Sequence, residues 1–178
     1  MIPRSGFKWD EVGWLSLRVS RMASFLGSHR HTLDAKGRLS IPSKFRKAAG
    51  DTFVLTLGLD RCLFLFPEAE WRRLERDLRS LKFTSRDARF FKREMAANAC
   101  VVVVDNHGRI IVPAELRAEA GLDRDVLVIG AFERIEIWSP EGYRKYREGF
   151  GMSYEDVAEM LTENLGGVPP SGDGEDEE

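Results

Sequence analysis

The sequence predicts an α+β protein that contains a β-turn-β-helix-β-β-helix unit twice in tandem. The first reason is that "HTLDAKGRLSIPSKFR" (31–46) and "VVVDNHGRIIVPAELR" (102–117) share five residues at a constant offset of 71 positions. These pairs are Asp34 and Asp105, Gly37 and Gly108, Arg38 and Arg109, Pro42 and Pro113, and Arg46 and Arg117. The second reason is that short apolar, β-branched runs bounded by turn residues flank each copy, which is typical of strands.

Each copy begins with two predicted strands separated by "DAKG" or "DNHG". Asp34 and Asp105 can accept hydrogen bonds from backbone N–H groups two residues further on. Gly37 and Gly108 can adopt a positive φ because glycine has no Cβ. We therefore predict hairpin turns in which these four residues are structural.

A short helix follows each predicted hairpin. Pro42 and Pro113 stand where it begins, because proline is tolerated in the first helical turn. Gly50 and Gly121 follow "PSKFRKAA" and "PAELRAEA", and glycine is the usual residue just after a helix. The two prolines are thus also predicted to be structural.

The likeness continues at an offset of 72 positions, where "VLTLG" matches "VLVIG" and "LFLF" matches "IEIW". These segments predict two further strands, and a helix closes each repeat. Residues spaced i, i+3 and i+7 predict its buried face, Trp71, Leu74 and Leu78 in the first repeat and Tyr143, Tyr146 and Phe150 in the second. Strands this short cannot bury both faces alone, so the hairpins are expected to pair into a small barrel.

Two further helices are predicted outside the repeats. Thr84 and Asp87 form a possible capping box for the first, and Ser153 and Asp156 for the second. Residues 1–21 are predicted to be an N-terminal extension, which reflects either an upstream start codon or a real extension. The first module is predicted at 24–81 (strand core 27–70) and the second at 98–150 (strand core 98–141), with a connecting helix at 84–97 between them. A C-terminal helix at 153–165 and a disordered acidic tail at 166–178 follow.

The charge is distributed unevenly. The formal net charge is −2, but residues 22–97 carry 16 lysines and arginines against 9 acidic residues, whereas residues 98–165 carry 7 against 13. A polyanion would therefore meet the first repeat. No apolar stretch is long enough for a membrane span, the N-terminus does not resemble a signal peptide, and Cys62 and Cys100 lie in apolar runs. We expect buried thiols and a cytoplasmic protein.

The repeated D-x-x-x-R and G-R-[LI]-x-[IV]-P motifs, together with "FLFPEAEW", resemble the MraZ family over roughly residues 24–165. The resemblance implies two tandem AbrB-like swapped-hairpin β-barrel modules. It also implies a nucleoid-associated, sequence-specific DNA-binding transcriptional regulator that binds repeated promoter boxes upstream of the division and cell-wall gene cluster. The implied partners are double-stranded DNA and other copies of the chain, in a ring of the octamer type.

Arg38 has two possible roles, since an arginine can close the turn by pairing with its aspartate or can bind guanine in a major groove. The resemblance favours DNA contact for the first turn, with Arg109 of the second more structural. The candidate DNA-binding residues are Arg38, Lys36, Arg30, Lys44 and Arg109. A carboxylate repels phosphate, so Asp34 and Asp105 are not expected to touch DNA.

No enzyme, cofactor or metal site is expected. The turns have no neighbouring nucleophile, metal-ligand set or glycine-rich phosphate loop. His29 and His31 share one face of a predicted strand, but two ligands do not make a zinc site. The alternative function is a protein-interaction or assembly module with the same fold and no direct DNA readout. In both cases we expect a homo-oligomer larger than a dimer.

Overall fold

The computed structural model describes residues 24–164. The predicted extension at 1–21 and the predicted tail at 166–178 lie outside the described residues. The elements, in chain order, are β1 (Phe25–Thr32), β2 (Arg38–Ser40), α1 (Ser43–Ala49), β3 (Thr52–Leu57), β4 (Leu63–Pro67), α2 (Glu68–Ser80), α3 (Arg86–Ala97), β5 (Cys100–Val103), β6 (Arg109–Ile111), α4 (Ala114–Glu119), β7 (Asp125–Phe132), β8 (Arg134–Trp138), α5 (Pro140–Gly149) and α6 (Tyr154–Asn164). The predicted mixed α+β class and the order of elements in both repeats are confirmed.

The two repeats interleave in one antiparallel sheet of order β1-β7-β8-β4-β3-β5. The first strand of each repeat pairs with a strand of the other, β1 with β7 and β5 with β3. Exchanging the repeats leaves the strand order unchanged, which indicates a pseudo-two-fold axis between β4 and β8. Each repeat therefore completes its sheet with strands from the other.

The register places equivalent residues opposite each other at two points. Phe64 pairs with Glu136 where β4 meets β8, and the two are 72 positions apart. Leu39 pairs with Ile110 in a separate two-stranded sheet of β2 and β6, and these are 71 positions apart. The offsets of the sequence repeat thus reappear as contacts across the pseudo-two-fold axis.

The predicted local hairpin is only partly formed. Its turn is present, but β1 and β2 are joined by a single bridge between Leu33 and Leu39. All three residues of β2 pair with β6 of the other repeat. This arrangement buries Leu39 and Ile110 against the common core, which a separate hairpin in each repeat would not do.

One hydrophobic core serves both repeats. Phe25, Phe45 and Phe53 from the first repeat and Ile110 and Ile135 from the second belong to a single buried cluster. Full burial of one such side chain contributes about 1.5–3 kcal/mol. Either repeat alone would expose its share of this cluster, so neither can reach this stability without the other.

The short helices α1 and α4 begin and end as predicted. Pro42 and Pro113 directly precede the first helical residue in each. Gly50 and Gly121 follow the helices with φ angles of 83° and 59°, which disfavour any residue with a Cβ. Local sequence was sufficient here because helix start and stop signals act within a few residues.

The caps of the outer helices match the prediction in one case and correct it in the other. Helix α3 is capped by Ser85 rather than Thr84, and the Ser85 Oγ accepts a hydrogen bond from the N–H of Ala88 at 3.3 Å. Before α6, the N–H of Ser153 donates to the Asp156 carboxylate and the N–H of Asp156 donates to the Ser153 hydroxyl, both at 3.1 Å. The second capping box is confirmed.

The buried faces predicted for the helices that close the repeats are less buried than expected. Trp71 contacts Phe66, with 6.0 Å between ring centroids, but no residue of α2 is fully buried. Phe150 lies beyond the end of α5 and is exposed. Helix α5 ends before the third position of the pattern, and Gly151 at φ 76° turns the chain. The helical spacing therefore predicted that these helices exist, but it did not predict how deeply their apolar side chains are buried.

Cys62 is buried, as expected, but Cys100 is only partly buried because β5 is an edge strand of the sheet. The described residues up to Gly142 form one compact unit, and residues 143–164 belong to a second. The first contains strands of both repeats, so the limits 24–81 and 98–150 delimit sequence repeats and stay a prediction as domain boundaries. Among the described residues, no helix is long and apolar enough to cross a membrane.

Candidate nucleic-acid interface

The two D-x-x-x-R turns meet at the ribbon formed by β2 and β6. Side chains that oppose each other across paired strands point to the same face of a sheet. Leu39 and Ile110 face inward, with 0% and 1% of their surface exposed. The opposite face, here called the outer ribbon face, carries four residues: Arg38, Ser40, Arg109 and Ile111. Each repeat supplies one arginine to this face, so residues 71 positions apart in the chain share one surface.

The first turn is closed by Asp34. Its Oδ1 accepts hydrogen bonds from the backbone N–H groups of Lys36 at 2.9 Å and Arg38 at 3.0 Å. Its Oδ2 accepts one from Nε of Arg38 at 2.6 Å. The backbone N–H of Arg38, followed by its side chain, holds the pKa of Asp34 below the usual value. Gly37 provides the positive φ of 74° that the turn requires.

The second turn repeats this geometry with one difference. Asp105 Oδ1 accepts from the N–H groups of His107 and Arg109 at 2.8 and 2.9 Å. Its Oδ2 accepts from both Nε and Nη2 of Arg109, at 2.9 and 2.8 Å. The Arg109 side chain lowers the pKa of Asp105 to about 2. Arg38 thus meets its aspartate through Nε alone, whereas Arg109 also uses a terminal nitrogen.

Each turn is held by the other repeat. The Gly37 carbonyl accepts a hydrogen bond from the N–H of Val112 at 2.8 Å, and the Gly108 carbonyl accepts one from the N–H of Ile41 at 2.9 Å. These reciprocal bonds cross the pseudo-two-fold axis. Both glycines thus have a hydrogen-bond partner in the other repeat, which the sequence did not indicate.

Arg46 and Arg117 support the turns in the same reciprocal way. A methyl group added at Gly108 would lie 2.8 Å from Cζ of Arg46, and one added at Gly37 would lie 3.1 Å from Cζ of Arg117. Each guanidinium therefore packs directly against the turn of the opposite repeat. Sequence reasoning placed these arginines only on helices, although their exact recurrence was a signal that could have revealed them.

The other predicted DNA-binding residues lie in the first repeat. Lys36 is exposed within the first turn, and Arg30 is exposed on β1. Lys44 is exposed too, but its Nζ donates to the backbone carbonyl of Leu26 at 2.7 Å and lies 5.2 Å from the centroid of the Phe45 ring. Lys44 therefore also holds α1 against β1.

The two histidines of β1 lie close together, with 6.4 Å between their ring centroids. Burial, followed by the neighbouring His29, lowers the pKa of His31. The His29 and Phe45 rings are also arranged edge to face, with 5.7 Å between their centroids. Within residues 24–164 no group of three histidine, cysteine or acidic side chains could hold a metal ion.

Comparison with known proteins assigns both repeats of the chain to one family. Residues 24–94 and 95–165 each match the MraZ protein family, whose description includes "antitoxin-like". The chain belongs to the MraZ family. It is 50% identical over 139 residues to the transcriptional regulator MraZ of Heliobacterium modesticaldum, an alignment that covers 78% of this chain and 97% of that protein.

Other MraZ proteins give the same result. The transcriptional regulator MraZ of Syntrophomonas wolfei is 48% identical over 139 residues, which cover 78% of this chain and 97% of that protein. The transcriptional regulator MraZ of Acetivibrio thermocellus is 47% identical over 138 residues, which cover 78% of this chain and 96% of that protein. Each of the two family matches contains one of the tandem repeats found in the sequence. These relatives are named as transcriptional regulators and not as enzymes, which agrees with the expectation that this chain is not an enzyme.

Proposed function

We propose that this chain is a sequence-specific DNA-binding transcriptional regulator that reads double-stranded DNA with the outer ribbon face. The observation that carries the proposal is the pairing of β2 with β6, which sets Arg38 and Arg109 on one exposed face. A two-stranded ribbon fits the major groove of B-DNA, and arginine binding guanine O6 and N7 is the commonest specific contact there.

The hydrogen bonds of the two arginines support different roles for them in this proposal. Arg38 bonds to Asp34 through Nε, and none of the described residues accepts a hydrogen bond from its two terminal nitrogens. Those nitrogens can bind guanine while the aspartate holds the side chain in place. Arg109 commits Nη2 as well as Nε to Asp105, so less of its guanidinium is available. Arg38 is therefore the principal base contact, and Arg109 is mainly structural.

The charge around the two turns supports the same asymmetry. Residues 29–47 contain six lysines and arginines and one acidic residue, whereas residues 100–118 contain two of each. Lys36 and Arg30 are exposed and can neutralise phosphates beside the ribbon. Lys44 adds to the positive charge of this region while its ammonium donates a hydrogen bond to the backbone carbonyl of Leu26.

The fold supports the finer assignment to AbrB-like swapped-hairpin modules, because the strands on both sides of each turn pair with the other repeat. Relatives are named transcriptional regulators. With the resemblance described above, this leads us to repeated promoter boxes upstream of the division and cell-wall gene cluster as the target. A cytoplasmic, nucleoid-associated location follows from that target.

The test is binding of the full chain to DNA from upstream of its own gene, at several salt concentrations. Affinity should fall steeply with salt and exceed that for a scrambled duplex. Arg38→Lys keeps the charge but loses the bidentate geometry, so it should lose specificity and keep the salt slope. Arg76→Ala removes a charge from the exposed side of α2 and serves as the control. Equal affinity for both duplexes would reject the proposal.

The alternative function is an assembly module without DNA readout. A different surface supports a role in assembly. Val101 and Val103 of edge strand β5 are 69% and 63% exposed, although both are apolar and β-branched. An exposed edge strand of this kind is a site for association with another chain. We propose that the chain also forms a homo-oligomeric ring of the octamer type. Light scattering at micromolar concentration should show a particle larger than a dimer, and a folded monomer would reject this.

A further inference from the structure

Ile111 is an exposed apolar residue at one end of the outer ribbon face. It is 62% exposed and is the direct register partner of Arg38. Opposed residues in paired strands have Cβ atoms about 4.5–5.5 Å apart. A partner surface that lies against this end of the ribbon would therefore meet both Arg38 and Ile111.

The first repeat has a different residue at this place. The position equivalent to Ile111, 71 residues earlier, is Ser40, whose register partner is Arg109. The outer ribbon face thus presents an arginine with an isoleucine at one end and an arginine with a serine at the other. The two ends are related by the pseudo-two-fold axis but differ in chemistry.

The chemical groups that bases expose in the major groove indicate which DNA surface would fit an arginine beside an isoleucine. In the major groove guanine presents two acceptors, O6 and N7, and thymine is the base that presents a methyl group. Neighbouring base pairs are about 3.4 Å apart along the helix axis. Two side chains that oppose each other across the ribbon, such as Arg38 and Ile111, can therefore contact adjacent base pairs.

We propose that Ile111 contacts the methyl group of a thymine in the base pair next to the guanine bound by Arg38. This rests on the proposed function and adds the residue that determines specificity at a second position. Ser40 has no apolar group of comparable size, so the other end of the ribbon does not make this contact. Ile111 would then be exposed in the free protein because its partner is DNA.

A competing explanation is that Ile111 forms a contact between protein chains together with Val101 and Val103, which are also exposed in the second repeat. The position of Ile111 favours DNA, because Arg38 faces it directly across the ribbon and Arg109 is on the same strand and face. The valines lie on β5, outside this ribbon. The experiment separates the two explanations.

The experiment uses the full chain and a duplex selected from random sequences for tight binding. Each thymine of that duplex is replaced in turn by deoxyuridine, which lacks only the methyl group. For the unaltered protein we expect one position in each box to lose about fourfold in affinity, which corresponds to the burial of one methyl-sized group. Ile111→Ser should bind the thymine duplex about fourfold more weakly and show no loss on replacement.

Two variants and one further measurement complete the design. Ile111→Val keeps a β-branched apolar side chain and should retain the methyl effect. Val103→Thr changes an equally exposed residue of β5 and should also retain it. Particle mass, measured by light scattering on every variant, should not change for Ile111→Ser.

The proposal is overturned if no deoxyuridine position weakens the unaltered protein, or if Ile111→Ser keeps the full methyl effect. A change in particle mass with the methyl effect retained would assign Ile111 to a protein interface instead. Specific, salt-dependent binding without a methyl effect rejects this inference alone. Absence of salt-dependent DNA binding rejects the proposed function as well.

Discussion

The two repeats build the same turn and surround it with different surfaces. Both turns contain an aspartate that accepts two backbone hydrogen bonds and an arginine side chain, and both contain a glycine at positive φ. At the exposed positions, by contrast, Arg30, Thr32, Lys36 and Ser40 of the first repeat correspond to Val101, Val103, His107 and Ile111 of the second. The repeats therefore agree where the chain needs a turn and differ where a partner would meet it.

The positions at which the two repeats differ separate functional from structural residues more clearly than the recurring positions do. A recurring residue such as Asp34 or Arg46 has a partner inside the protein. Lys36 and Ile111, which do not recur, are exposed on or beside the ribbon. Recurrence alone therefore does not separate the two classes, because Arg38 recurs as Arg109 and is nevertheless the proposed base contact.

The largest expected effect is on DNA binding by the two arginines. Loss of a bidentate guanine contact costs about 1–3 kcal/mol, which is roughly fivefold to 150-fold in affinity, and a ring bound to several boxes would multiply the loss. Arg38→Ala should therefore abolish specific binding and leave the oligomer intact, whereas Arg109→Ala should mainly lower stability or assembly. Gel-shift titrations beside thermal melts measure both. Wild-type binding by Arg38→Ala would show that the first turn is only structural.

The next effect concerns stability at the glycines. Alanine at either position must adopt a φ near 74° or 78°, which costs about 1–3 kcal/mol. At Gly37 its methyl group would also lie 2.9 Å from the backbone oxygen of Val112, which cannot move away. At Gly108 the nearest atoms belong to the flexible Arg46 side chain. Urea unfolding should therefore show a greater loss for Gly37→Ala than for Gly108→Ala, and the reverse order would contradict this account.

A smaller effect should follow from exchanging charge between the turns. Lys36→Ala removes a phosphate contact, so it should weaken binding to all sequences alike and reduce the salt slope by about one unit. His107→Lys gives the second turn the residue of the first. If only the first turn faces DNA, this variant should leave the slope unchanged. An increase of about one unit would show that both turns reach phosphates.

The smallest effect is the pH dependence of the two aspartates. Both have a lowered pKa in the folded protein, so their contribution to stability is complete above the unfolded pKa near 3.9. It is lost as the pH falls through the folded values, about 2 for Asp105. NMR titration of the carboxyl carbons should show both shifts. Arg109→Gln should raise the pKa of Asp105 and leave Asp34 unchanged, and a change at Asp34 would indicate coupling between the turns.

The sequence by itself determined the local structure of this protein. The turns at Asp34 and Asp105, the stops at Gly50 and Gly121 and the cap at Ser153 were predictable because each depends on groups a few residues apart. The basic character of the first repeat was equally visible, since charge needs no fold to be counted. The tandem family match follows from the same repeated segments.

Only the tertiary structure decided which strands pair and which side chains meet. A three-residue strand carries no information about its partner, so the pairing of β2 with β6 could not be read from the sequence. That pairing places Arg46 against Gly108 and sets Ile111 opposite Arg38. Strand pairing is chosen by burial of the common core, to which both repeats contribute, and that choice is made by the folded chain as a whole.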